Sequence, residues 1–224
     1  NSELDFHWIG KINRNNESIE LAKESLGKSK DHLKSSLFWF SNSDSIDNMA
    51  LEFLKNQKVE MAISLWEKSI HGISIYKDIF THAKNLALIN TLIALNPSSI
   101  DGRINRTINS PDQFLKDAVK WWNKIITSEI FETDYLSQFG NHGIEDIENY
   151  VFSTIQEIFI PKFIQPSNGN IPHSFSSTLY FDALTENGVS SVDMLKDQFL
   201  RPFYRSIDES IEEYEEKASK SEPR

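Results

Sequence analysis

Cysteine is absent from all 224 residues, which removes disulfides, thiolate metal sites and cysteine nucleophiles together. Glycine and proline are scarce, at 8 and 7, too few for the many tight turns of an all-β sandwich. No apolar run reaches the roughly 18 residues of a membrane-spanning helix, so no membrane association is expected. Lysine and arginine are missing between residues 125 and 161, where Glu129, Glu132, Asp134, Glu145, Asp146, Glu148 and Glu157 fall. With a net charge of −10, the chain is a poor nucleic-acid ligand, because phosphate binding needs clustered cations. The acidic stretch reads either as a solvated helical face or as a docking surface for a basic partner, with Glu145, Asp146 and Glu148 as its candidate contacts. The chain opens Asn1-Ser2 with neither Met nor a signal-peptide pattern. That start suits a piece of a longer polypeptide, and a cytoplasmic setting is the expectation.

What is present is helical. Hydrophobic residues make up 39% and aromatics 12%, enough for a sizeable core, and the mean hydropathy of −0.43 is ordinary for a globular chain. Apolar residues recur at helical spacing in segments 46–56, 59–71, 76–95, 113–127, 144–159 and 192–217. In the segment over 59–71, Ala62, Leu65, Trp66, Ser69 and Ile70 form the stripe of a packed helix. Asp44 or Ser45 is placed to cap the helix over 46–56, whose inward residues are Met49, Ala50, Phe53 and Leu54. Residues 37–40, Leu-Phe-Trp-Phe, cannot share one helix face and are expected as a wedge at a helix end. Phe6, Trp8 and Ile9 are expected to pack onto the domain, and Gly27 to split the first helix. Pro161 is expected to end or bend its helix and Pro202 to interrupt the last one. Residues 166–173, rich in Pro, Ser, Asn and Gly, read as a linker between a domain over 1–165 and a C-terminal helical appendage over 174–224. Beyond Asp208 charge dominates, and that end is expected to fray or project.

The segment Ala62-Ile63-Ser64-Leu65-Trp66-Glu67-Lys68-Ser69-Ile70 is echoed by Ala118-Val119-Lys120-Trp121-Trp122-Asn123-Lys124-Ile125-Ile126. Alanine, a β-branched residue, tryptophan, lysine and isoleucine recur at one spacing, as in a helical repeat. Ala50, Phe53, Ala62, Trp66 and Ser69 match in size class the alternating small and bulky places of a tetratricopeptide repeat, which the helix pair over 46–71 therefore resembles. A second, irregular unit would begin at Ala87 and resume at Ala118 and Trp122, with an insertion over 96–110. Residues 37–40, Ala50 to Ser69, Asn85-Leu86-Ala87 and the stretch from Ala118 to Glu132 together resemble the helical region that follows a J-domain or J-like region in a bacterial family. That resemblance covers roughly residues 6–165 and implies a chaperone-related setting; the His-Pro-Asp of a J-domain is absent from the chain.

Catalytic patterns are sparse. His7, His32, His71, His82, His142 and His173 are scattered without zinc spacing, so neither a metal nor another cofactor is expected. Ser25 and Lys28 fit Ser-x-x-Lys but lack its companion motifs. Asn16 and Asn105 head glycosylation triplets without any other sign of secretion. Trp39, Trp66 and Trp122 read as core. Trp121 points about 100° away from Trp122 and is the candidate exposed anchor, with Tyr135 and Phe139. Asn85 is the candidate groove residue for holding a peptide backbone, as the repeat resemblance implies. The expectation is an all-α, tetratricopeptide-like array of about eight to ten helices, acting as a non-catalytic module for a protein or peptide partner. The other reading is an assembly subunit that forms homo-oligomers through its C-terminal helix.

Overall fold

The computed structural model describes residues 29–70, 72, 74–95, 111–140, 143–164 and 177–221. Phe6, Trp8, Ile9, Gly27, Ser25 and Lys28, the insertion over 96–110, the linker over 166–173, both glycosylation triplets, and His7, His71, His142 and His173 lie outside them. Among the described residues every regular element is helical: α1 (Ser29–Leu37), α2 (Ser45–Lys55), α3 (Val59–Ser69), α4 (Lys77–Leu95), α5 (Pro111–Ile126), a π-helical turn (Phe131–Tyr135) running into a 3-10 turn (Leu136–Phe139), α6 (Ile147–Ile164), α7 (Ser177–Glu186) and α8 (Val192–Ser221). None of these helices is long and apolar enough to cross a membrane.

Local chemistry explains the boundaries. Asp44 caps α2, accepting from the Ile46 and Asp47 amides at 2.9 Å. The α2–α3 turn closes on Gln57 in the left-handed region, at φ 61°. Its amide reaches Leu54 O and the Lys58 amide reaches Phe53 O, the paired bonds of a Schellman cap. Gly188, at φ 71°, repeats this cap at the end of α7, with bonds to Thr185 O and, from Val189, to Leu184 O. Neither proline ends its helix. Pro161 lies inside α6 and Pro202 inside α8. A proline forfeits one backbone bond and crowds the carbonyl four residues back, and the residues continuing each helix hold the helical path beyond it.

α4 is the organising element. Ile79, Phe80, Ala83, Leu86, Ala87, Leu88, Ile89, Ile93 and Ala94 are all buried, as on a helix apolar around its whole circumference. Each such Leu, Ile or Phe contributes about 1.5–3 kcal/mol of transfer free energy. Two buried polar residues in its second half bond back along it, Asn90 to Leu86 O and Thr91 to Ala87 O, both at 2.8 Å. α3 packs on one side of α4 and α5 along another. Trp122, fully buried on α5, donates its indole N–H to Thr91 Oγ1 at 2.9 Å. The apolar core runs on from Leu33 into α7 and the start of α8, as far as Phe199. Three polar ties reinforce that junction: Asn123 Nδ2 to Asn187 O, Tyr180 OH to Phe152 O, and Gln156 Nε2 to Leu195 O. Residues 177–199 thus share the core of the preceding helices.

The wedge over 37–40 is divided. Leu37 and Phe40 are buried, with Phe40 stacked on Trp66, and Phe38 leans on Trp122 with ring centres 5.1 Å apart. Trp39 is 45% exposed rather than core. Four successive bulky residues point in different directions, and α1 ends before a neighbour can cover the third. Met49, expected inward, also faces solvent. Ala50, Leu51 and Leu54 fill the contact face of α2 without it.

Candidate functional site

A buried polar node lies where the start of α2 meets α3 and α4. Asp47 has no exposure and accepts four bonds. Trp66 Nε1 and Asn85 Nδ2 donate to Oδ1 at 2.9 and 3.0 Å; the Ser43 amide and hydroxyl donate to Oδ2 at 3.0 and 2.6 Å. His82, also buried, lies between Asp44 Oδ2, 3.0 Å from its Nε2, and Ser69 Oγ, 2.9 Å from its Nδ1. Burial works to raise the Asp44 carboxyl. The Asp47 amide, the bond and charge of His82 and the Ile46 amide outweigh it and hold the group below its ordinary value. Two chemistries are suggested by the residue types. Asp44, Asp47 and His82 bring ligand atoms within 4.8 Å of one another, yet Asp47 has already given its four lone-pair sites to N–H and O–H donors. Ser69, His82 and Asp44 form a hydroxyl–imidazole–carboxylate relay, but the Ser69 hydroxyl donates to Trp66 O at 2.7 Å. Both arrangements tie α2, α3 and α4 together.

Lys84 extends the node toward α1. Its ammonium donates to Ser36 O, Trp39 O and Ser41 Oγ at 2.9, 2.6 and 2.7 Å, using all three of its protons. Burial pushes it down from 10.5 to about 8, opposed by the charge of Asp47. The unfolded chain therefore binds more protons than the native one between about pH 8 and 10.5, and stability rises with pH across that window. Between pH 7.5 and 9.5 the gain is roughly 2 kcal/mol. Urea unfolding at the two pH values should show it in the wild type and not in Lys84→Met.

Above Lys84 opens a cleft of about 600 Å³ between the end of α1, α4 and the π-helical turn. Ser36, Lys77, Thr81, Asp134 and Tyr135 are among its walls. A π-helical turn redirects side chains relative to a regular helix and often marks a functional position. Here it turns Tyr135 inward, and its hydroxyl donates to Ser36 Oγ at 2.7 Å. Burial pushes this phenol up to about 12, against the opposing bond to Ser36. Lys77 and Asp134 pair at 3.3 Å, both substantially exposed. Lys77, Asp134, Tyr135 and Lys84 in this cleft thus each have a partner within the fold.

A third feature lies on α8 beyond the core. Leu200, Tyr204, Ile207, Ile211 and Tyr214 are 39–75% exposed. At 100° per residue they fall within about 80° of arc on one helix face.

No family model, curated protein or solved structure matches this chain. Its site rests on its own geometry.

The candidate residues fare unequally there. Asn85 has no exposure; it donates to Ser41 O and Asp47 Oδ1 and accepts from the Ser41 amide, so its carboxamide is unavailable to a peptide. Trp121 is 8% exposed, not an open anchor, and the amines of Lys124 and Lys120 lie 5.0 and 5.7 Å from its ring centre. Tyr135 and Phe139 are half-buried in an aromatic cluster with Phe80 and Phe131, and His32 meets Phe139 edge-on. Glu145 and Asp146 are exposed. Glu148 instead accepts from the Ser190 hydroxyl and from the Ser191 amide and hydroxyl at 2.8–3.0 Å, fastening the start of α8 to α6. Only Glu145 and Asp146 of the acidic trio are open to a basic partner. Asp47 and Lys84 are absent from the sequence candidates, and His82 figures there only as one of the scattered histidines; the Asp44-x-x-Asp47 pair at a helix start and a lysine within an apolar helix are the sequence signals of the first two.

Proposed function

We propose that the chain is a non-catalytic protein-interaction module. The observation that carries this reading is the exposed apolar face of α8, from Leu200 to Tyr214. An apolar helix face left open in this way is how helical modules engage partners. The polar groups that would serve catalysis support it too, because Asp47, Lys84 and Ser69 have their donors or acceptors engaged within the fold. On this reading α2–α3 and α4–α5 serve as an irregular tetratricopeptide-like scaffold, and the binding surface is α8 rather than a groove at Asn85. The resemblance to helical regions that follow J-like segments makes a cytoplasmic chaperone or its clients the first partner class to test.

Affinity capture from source-cell lysate separates the surfaces. A bait carrying Ile207→Glu and Ile211→Glu should lose at least ten-fold of the captured partner, whereas Glu145→Lys with Asp146→Lys should retain it. Equal capture by the wild-type and the Ile207/Ile211 baits would refute the assignment to α8.

A further inference from the structure

The open half of α8 has the spacing of a coiled-coil seam. Leu200, Tyr204, Ile207, Ile211 and Tyr214 alternate in steps of four and three residues. Charge along the same segment is segregated. Arg201 and Arg205 come first; Asp208, Glu209, Glu212, Glu213 and Glu215 follow. A second copy laid parallel would set the two basic ends level with each other and the two acidic ends likewise. A second copy laid antiparallel, centred near Glu209, does the opposite. It brings Ile207 against Ile211, Tyr204 against Tyr214, and Arg201 alongside Glu215, both on the same side of the seam. Each of these pairings occurs twice, as an isologous interface requires. Arg201 already holds Asp197 of its own helix at 2.7 Å, which fixes its guanidinium on the helix surface beside the seam.

We infer that α8 pairs antiparallel with α8 of a second copy, forming a homodimer through residues 200–215. This rests on the reading of the stripe as an interaction surface and names its occupant. Covering five side chains of this exposure removes roughly 500 Å² per copy, or roughly 1,000 Å² in all. That is near the lower limit of specific interfaces, so the dimer is reversible, with Kd in the micromolar range, and it weakens with salt because opposite charges flank the seam.

Sedimentation velocity of the purified chain at about 1 and about 100 µM tests this across that Kd range. The expected mass moves from 25.9 kDa toward twice that value. Ile207→Glu with Ile211→Glu should stay at 25.9 kDa throughout. Because the chain has no cysteine, engineered ones report orientation. Tyr204→Cys mixed with Tyr214→Cys should form a disulfide-linked dimer, and neither alone should do so. A wild type still monomeric at about 100 µM and low salt overturns the homodimer. If the same Ile207/Ile211 variant nonetheless loses a captured partner, the interaction reading survives that failure. Self-crosslinking of Tyr204→Cys alone overturns the antiparallel register.

Discussion

Replacing Asp47 by alanine should lower the stability of the fold by about 3–5 kcal/mol, the cost of breaking a buried charged network. The carboxylate accepts four bonds at 2.6–3.0 Å with no exposure to water. Without it the indole N–H of Trp66 and the amide of Asn85 lose a buried acceptor, and Lys84 loses the carboxylate whose charge favours its ammonium. Hydrogen bonds to a charged group are each worth about 1.5–3 kcal/mol and do not add. Asp47→Asn keeps the shape and one acceptor oxygen, so its loss should be smaller, about 2 kcal/mol. Asp44→Ala removes a partly exposed helix cap together with the carboxylate on His82, and should cost less than Asp47→Ala, about 1–2 kcal/mol. Urea denaturation with unchanged m-values ranks the three. An Asp47→Ala protein as stable as Asp44→Ala would mean that the node does not join α2, α3 and α4.

Trp122→Ala should cost a comparable amount, about 3–5 kcal/mol. The side chain is wholly buried, bonds Thr91 across the α4–α5 contact and packs on Phe38. Truncation removes that area, opens a cavity and leaves the Thr91 oxygen without its indole donor. Trp39→Ala is the control: this residue is 45% exposed, and its loss should be clearly smaller, about 1–2 kcal/mol. Thermal unfolding of the two variants checks the contrast. Equal losses would contradict the division of residues 37–40 into packed and exposed members.

Much of the helical architecture was legible from local signals. Asp44 caps α2 because a short carboxylate before an apolar helix satisfies free amides, and that logic needs no tertiary partner. α4 is legible because apolar residues on every side of a helix demand burial. Less legible were features set by distant neighbours. Lysine on a helix is ordinarily solvated; Lys84 is buried because three acceptors arrive from 43–48 residues upstream. Trp121 does point away from Trp122, but helical spacing alone cannot say that this second face is covered as well. Tyr135 was singled out as an exposed anchor, whereas the π-helical turn that brings it onto Phe80 and Ser36 leaves no periodic trace in the sequence. Of the open stripe on α8, Ile207 and Ile211 stand out in the sequence as part of an apolar side, whereas Leu200, Tyr204 and Tyr214 join it only once Phe199 is seen to be the last buried residue of the core.

Site-specific photo-crosslinking in living cells tests the claim that α8 is the interaction surface most directly. A photoreactive phenylalanine analogue would replace Tyr204 or Tyr214, with Tyr76 as a control that is also exposed but lies before α4. The account predicts discrete protein adducts from positions 204 and 214 and none from 76. Adducts from position 76 with none from 204 or 214 would contradict it.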